Sequence, residues 1–212
     1  MREIANREYT DHMADGPTAL ELVIQGTQTA AIIVAAGAAT WGFNTWRAQM
    51  AGKRKFELAE DALTAFYEFE GVIKFVRSPW TKSNEGKDRP EREGESEGVA
   101  RIRDSYFAPM QRLSNREKLF ARIRTLRLKF RTYFGEEAED AFQTAHTIPN
   151  EIMIAVHMLI DSVDDPEILT SDPMYQEWKS TIWQHNNEDE IQQRINDAIE
   201  LIETLCKPIL IK

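Results

Sequence analysis

The feature that most constrains this chain is its longest apolar stretch, Thr29-Ala-Ala-Ile-Ile-Val-Ala-Ala-Gly-Ala-Ala-Thr-Trp-Gly-Phe43. Extended back to Ala19 it gives 25 residues, about 37 Å of helix at about 1.5 Å per residue, enough to cross the hydrocarbon of a bilayer. Hydropathy alone leaves that span marginal. Much of it is alanine, and Glu21, Gln25 and Gln28 are each costly in lipid. Glu21 lies near one end, where its side chain reaches the interface, so the glutamines are the harder problem.

Two other readings compete with a membrane span. A secretory signal needs a basic start running straight into its apolar core, whereas residues 1–18 carry Glu3, Glu8, Asp11 and Asp15. An alanine-rich helix buried inside a bundle passes the same hydropathy test. The flanks favour the span. Trp41, Phe43 and Trp46 sit where an aromatic belt lies, and Arg47, Lys53, Arg54 and Lys55 follow, with no acid among residues 44–55. The positive-inside rule then predicts a single-pass protein of the inner membrane. It puts residues 1–18 outside as a short acidic tail, 19–43 in the bilayer and 44–212 in the cytoplasm. Thr27, Ala31, Ala35 and Ala39 recur every fourth residue, a spacing of small side chains that lets two helices approach closely, and Gln28 offers an interhelical hydrogen bond. This stripe is the candidate helix–helix interface, although alanine-rich helices also show such stripes by chance.

The remainder reads as all-α. With 212 residues the chain holds one ordinary domain beside an anchor, and its 10 glycines and 8 prolines are too few for a many-turned β-sandwich. The apolar seam Ala59, Ala62, Phe66, Phe69, Ile73 and Val76 has helical spacing. The anchor is therefore predicted to run into a long amphipathic helix that packs in an antiparallel helical bundle, with Gly42 and Gly52 as candidate breaks and Ser78-Pro79 as the stop. Residues 81–98 contain ten charged and no hydrophobic residues, the composition of a mobile, solvated loop. Helix resumes near Val99, bends at Pro109 and restarts at Ser114, which with Glu117 matches a capping box. Its core face is Leu119, Ile123, Leu126, Phe130 and Tyr133, closed by Gly135. Another helix over 136–165 is kinked or split at Pro149. Asp172-Pro173 opens a further one, and Asn187 with Glu190 opens the last, which Pro208 ends.

Short motifs add a resemblance. Leu58-Ala-Glu60, Phe66-Tyr67-Glu68, Arg77-Ser78-Pro79, Tyr133-Phe134-Gly135 and Cys206-Lys207-Pro208-Ile209 resemble landmarks of a bacterial family of uncharacterised, single-pass, membrane-anchored proteins with a helical cytoplasmic domain. Glu85-Gly86 resembles the polar loop that follows Arg-Ser-Pro in that family. The likeness covers roughly residues 41–210. It implies fold and location and transfers no catalytic residue.

No chemistry-bearing pattern emerges. His146 and His157 lie about 16 Å apart along a helix, too far to share a metal. His-Glu-x-x-His, phosphate-loop, dinucleotide and Gly-x-Ser-x-Gly patterns are missing. No cofactor is expected, and Cys206 reads as a small buried hydrophobe. The one sharp feature is charge. Arg112, Arg116, Lys118, Arg122, Arg124, Arg127, Lys129 and Arg131 face Glu117 alone between residues 111 and 134. The favoured reading pairs them with acids of neighbouring helices such as Glu136, Glu137, Glu139 and Asp140. Otherwise Arg122, Arg124, Arg127, Lys129 and Arg131 are candidate contacts for anionic lipid or a partner, or, with Phe120 or Tyr133 stacking, for an anionic ligand. A net charge of −9 makes nucleic acid an improbable partner.

These readings lead to a non-enzymatic, membrane-tethered interaction or scaffold module that self-associates or docks a cytoplasmic protein. The alternative is a membrane-disrupting effector of a stress or defence response with the helical body as sensor. An unrecognised enzyme or anionic-ligand binder comes third.

Overall fold

A computed structural model describes residues 18–82, 84–165, 173–184 and 189–211. Among the described residues there are six helices and no strand: α1 (Ala19–Val76), α2 (Glu97–Ser114), α3 (Glu117–Phe134), α4 (Glu139–Ser162), α5 (Pro173–Ile182) and α6 (Glu190–Leu210). The chain is all-α. It divides into two compact units, Met1–Gly52 and Lys53–Lys212, and α1 contributes residues to both.

In the first unit, α1 opens with a reciprocal cap. The Glu21 backbone N–H donates to Thr18 Oγ1 at 3.4 Å, and the Thr18 backbone N–H donates to Glu21 Oε2 at 2.9 Å. This is the Thr-x-x-Glu capping box, which satisfies two donors that a helix start otherwise leaves without partners. Gly42 and Gly52 do not interrupt the helix.

The second unit is a helical bundle with α4 at its centre, packed by α2, α3, α5 and α6. The expected seam of α1 closes the core: Ala59, Ala62, Phe66, Phe69, Ile73 and Val76 are fully buried. Phe66 meets the Phe142 ring edge-on at 5.2 Å, and Phe142 lies 5.5 Å from Phe130. The contacts Phe130–Phe142 and Arg127–Glu139 join the end of α3 to the start of α4, so these two helices form an antiparallel hairpin. Gly135 closes α3 at φ 74°, a left-handed conformation that glycine adopts freely, and its N–H bonds the Arg131 carbonyl.

Several expected boundaries move. Ser114 belongs to α2, because the Asn115 N–H still bonds the Gln111 carbonyl. Ser114 therefore cannot take the extended backbone of an N-cap, and α3 starts after Arg116 without a side-chain cap. The cap of α2 is Ser96, which accepts from Val99 N–H. Pro109, Pro149 and Pro208 all lie inside their helices. A proline removes one ladder bond, and the packing of the buried faces around Pro109 and Pro149 outweighs that loss. Asp189, with its side chain accepting from Gln192 N–H, caps α6. Asp172 and Asn187, the expected openers of the last two helices, lie outside the described residues, as does the expected acidic tail up to position 17. Tyr133, expected on the core face of α3, is exposed.

The described part of the polar segment, residues 81–82 and 84–98, carries contacts that its composition does not suggest. Arg89 is buried and donates to Asp104 at 2.7 Å and to Glu95 at 2.6 Å, while Arg103 from α2 reaches the other oxygen of Glu95. Gly86 N–H donates to Gln111 Oε1 at 2.8 Å. A Cβ at Gly86, whose φ is +84°, would run into the Asp104 carbonyl. The segment has no apolar side chain to bury, so its order comes from guanidinium–carboxylate bonds screened from water, where each is stronger than on an open surface.

Candidate functional site

Two features of the molecule call for an explanation beyond folding. One is the apolar part of α1; the other is the set of arginines in the bundle.

Within α1 an 18-residue window has a mean hydropathy of 1.5, and among the described residues none of it is buried. The helix is long and apolar enough to cross a membrane. Ile32, Ile33 and Val34 are each about two-thirds exposed, and Trp41 is 77% exposed. A core helix of a bundle is mostly buried, and this window has no buried residue among the described residues. The threonines here are already satisfied. Thr27 donates to the Ile24 carbonyl, Thr29 to Gln25, Thr40 to Ala36 and Gly37, and Thr45 to Trp41. A hydroxyl bonded back onto its own helix needs no water, which lowers its cost in an apolar medium. Glu21 is occupied in the capping box, so the acid nearest the apolar run sits at the helix end with a defined partner. Its signal, Thr18-x-x-Glu21, is plain in the sequence. The stripe Thr27, Ala31, Ala35 and Ala39 is exposed, as are Gln25 and Gln28.

The five basic residues singled out on α3 do not act together. Arg122 bonds Asp61 at 3.1 Å and lies 3.6 Å from Glu68; Arg127 pairs with Glu139, and Arg131 with Glu136. The pairing with neighbouring acids therefore holds for these three. Arg124 and Lys129 have no ion pair among the described residues, and five positions on a helix put them on different faces. Of the two aromatic candidates, Phe120 packs edge-on against Phe69 at 6.4 Å, whereas Tyr133 points to solvent.

The most deeply buried arginines among the described residues are Arg112, which belongs to the basic run, and Arg77 and Arg103, which lie outside it. Three buried guanidinium groups each sit at the C-terminal end of a helix, where carbonyls lack partners and the helix dipole favours a cation. Arg112 donates to the carbonyls of Phe75 and Val76 at the end of α1, then to Ser78 and Trp80, and pairs with Glu85 at 2.5 Å. Arg77 donates to Ser180 and Thr181 at the end of α5 and, through two nitrogens, to both oxygens of Asp189 at 2.7 Å. Arg103 reaches the Ile160 carbonyl in the last turn of α4 and pairs with Asp164. Their partners respond. The Arg112 bonds hold the Glu85 carboxyl below the ordinary glutamate range, and Arg103 and then Arg89 do the same for Glu95. For Asp189, burial acts to raise the value, but the Arg77 bonds and the Gln192 N–H outweigh it and the net shift is downward. This geometry fixes helix ends by satisfying their terminal carbonyls.

An apolar cavity of about 350 Å³ opens between α2, α3 and α4, with Phe120, Ile123 and Phe142 on its walls and Arg124 and His146 among its lining. Among the described residues no group of histidine, cysteine or carboxylate side chains is placed to hold a metal. Cys206 is fully buried, and burial pushes its thiol up to about 11. Compared with known proteins, the chain matches no family model, no curated protein and no solved structure.

Proposed function

We propose that this protein is a single-pass, membrane-tethered interaction module. In this reading residues 19–43 span the inner membrane, the bundle lies on the cytoplasmic side, and copies associate through Thr27, Ala31, Ala35 and Ala39. The observation that carries the proposal is the uncovered apolar helix. Burying one large aliphatic side chain is worth about 1.5–3 kcal/mol, and Leu20, Leu22, Val23, Ile24, Ile32, Ile33 and Val34 are all exposed. Left in water, that surface forfeits an amount comparable with the whole stability of an ordinary domain, about 5–15 kcal/mol. Something outside the chain has to cover it, and a bilayer fits its length. The cations Arg47, Lys53, Arg54 and Lys55 on one side support the orientation. Tethering raises the local concentration of whatever the bundle binds without any new chemistry, which accords with a body whose polar groups serve helix ends. The resemblance of Arg77-Ser78-Pro79 and the other short motifs to a membrane-anchored bacterial family points the same way.

Fractionation of lysed cells tests the reading. The intact chain is expected in the membrane pellet and to stay there through an alkaline carbonate wash, with the bundle digested by protease only in inside-out vesicles. Recovery in the high-speed supernatant without detergent would remove the tether. Digestion of the bundle in right-side-out vesicles would reverse the orientation.

A second reading draws on Gln25 and Gln28, two exposed amides three residues apart in the apolar run. Gathered anchors that turned these amides inward would line a polar path, as expected of a membrane-disrupting effector. Dye-loaded vesicles that stay tight at high protein density would dismiss it.

A further inference from the structure

We propose that the cavity between α2, α3 and α4 is a binding site for a single-chain anionic amphiphile, an alkyl chain ending in one singly charged head, a carboxylate or a phosphodiester. Three observations define the ligand class. The cavity is about 350 Å³, at the small end of the roughly 300–1,000 Å³ that ligand pockets occupy; it admits one alkyl chain and excludes a two-chain phospholipid. Its walls are mainly apolar, with Phe120 and Ile123 from α3 facing Phe142 and Met153 from α4, a surface that takes an aliphatic chain and offers a nucleotide or sugar little to bond. Its lining also includes the exposed guanidinium of Arg124, which has no ion pair among the described residues, whereas its neighbour Arg127 is bonded to Glu139. A lone arginine beside an apolar pocket supplies a planar donor for one anionic head. Glu117 lines the cavity as well, and its charge disfavours a head bearing two negative charges. The site lies wholly in the bundle, so it stands or falls independently of the membrane anchor.

Photolabelling of the full-length protein in lipid nanodiscs tests this. The probe is a decanoic acid carrying a diazirine near its methyl end, with the matching decanol derivative as the uncharged control. Adducts are expected on peptides containing Phe120 or Met153, competed by unlabelled decanoate, and about tenfold more abundant with the acid than with the alcohol. Arg124→Gln is expected to reduce labelling by the acid about tenfold and leave the alcohol unchanged. Met153→Trp, at an exposed position where a larger side chain blocks the cavity without touching the core, is expected to abolish both, with an unaltered melting temperature as the folding control. A diazirine-bearing lysophosphatidylglycerol built into the nanodisc separates the sources: labelling by it in the same peptides identifies a membrane-borne ligand, and labelling by the acid alone identifies a dissolved one. Adducts confined to residues 19–43, equal capture of acid and alcohol in the Arg124→Gln variant and the parent, or adducts that persist in Met153→Trp would each overturn the proposal.

Discussion

Residues 19–43 and residues 58–76 belong to one helix, α1, and both are rich in apolar side chains. In the later stretch these fall on one face, at helical spacing, and other helices of the bundle cover them: Phe66 is sealed by Phe69 and Phe142, and Ala59, Ala62 and Ala65 let neighbours approach. In the earlier stretch they are spread around the axis and are exposed among the described residues. The difference shows that apolar content does not distinguish a core helix from an exposed one that is long and apolar enough to cross a membrane. What distinguishes them is whether polar residues set aside a face for water. Glu57, Glu60, Asp61, Thr64, Glu68 and Lys74 do so in the later stretch, and no comparable set exists between Thr29 and Phe43.

Truncations and charges placed in either stretch should therefore act on different observables. The largest effect is expected from Phe66→Ala. It removes a fully buried ring that touches two others and should destabilise the bundle by about 3–5 kcal/mol, read as a lower midpoint in urea, while the chain still sediments with membranes. Arg112→Met should come close behind. The Phe75, Val76, Ser78 and Trp80 carbonyls lose their donor and Glu85 loses its counter-charge, a loss of about 3–5 kcal/mol for a broken buried pair. The same urea midpoint checks it. A drop below about 1 kcal/mol would mean that water replaces the guanidinium freely and that the end of α1 is not held by it.

Ile33→Arg addresses the earlier stretch. An arginine at the middle of a span costs about 2.5–3.5 kcal/mol in insertion, a shift of roughly a hundredfold in partitioning. The variant should move substantially to the soluble fraction or aggregate, while the urea midpoint of its bundle stays put. Unchanged sedimentation combined with a lower midpoint would break the comparison, because it would make residue 33 part of a folded core.

Acid should weaken only the bundle. Glu85 and Glu95 are held below the ordinary glutamate value of about 4.5 by their arginines. A carboxylate with a lowered folded-state value contributes stability that is complete above the unfolded value and is lost as pH falls through the folded one. Helical signal followed from pH 6 to pH 2 should therefore drop below about pH 4.5, and less steeply in Glu85→Gln.

How much of this was legible in the sequence depends on the kind of interaction. The seam of α1 was legible because burial there follows a single period, and on α6 the spacing Ile191, Ile195, Ala198, Ile202 and Leu205 holds for the first four, which are buried, while Leu205 is half-buried. On α2 the period misleads. Arg103 is buried and Ile102 is 47% exposed, since the position facing α4 is occupied by a guanidinium that needs a helix end and two carboxylates rather than an apolar contact. The order of residues 81–98 was hidden for the same reason. Glu85, Arg89 and Glu95 acquire partners 27, 15 and 8 positions away, and composition carries no record of who pairs with whom. The capping box at Thr18 and Glu21, by contrast, was written in four consecutive residues and needed only the right rule.

The smallest expected effect comes from making one substitution in both stretches. Ala62 has no exposed surface, so Ala62→Leu forces three extra heavy atoms into a packed core and should cost about 1–3 kcal/mol in the urea midpoint. Ala35 is exposed on the candidate stripe, so Ala35→Leu adds its atoms at an exposed position. Its effect on folding should be near zero, and a leucine is if anything more lipophilic, so membrane localisation should hold. What changes is how closely a second helix can approach, because close backbone contact between spans relies on small side chains at four-residue spacing. Light scattering of nanodisc or detergent samples should show Ala35→Leu shifted towards monomer relative to the parent, with Ala62→Leu unshifted. A parent that is already monomeric, with Ala35→Leu indistinguishable from it, would leave the anchor as a tether that faces lipid on every side.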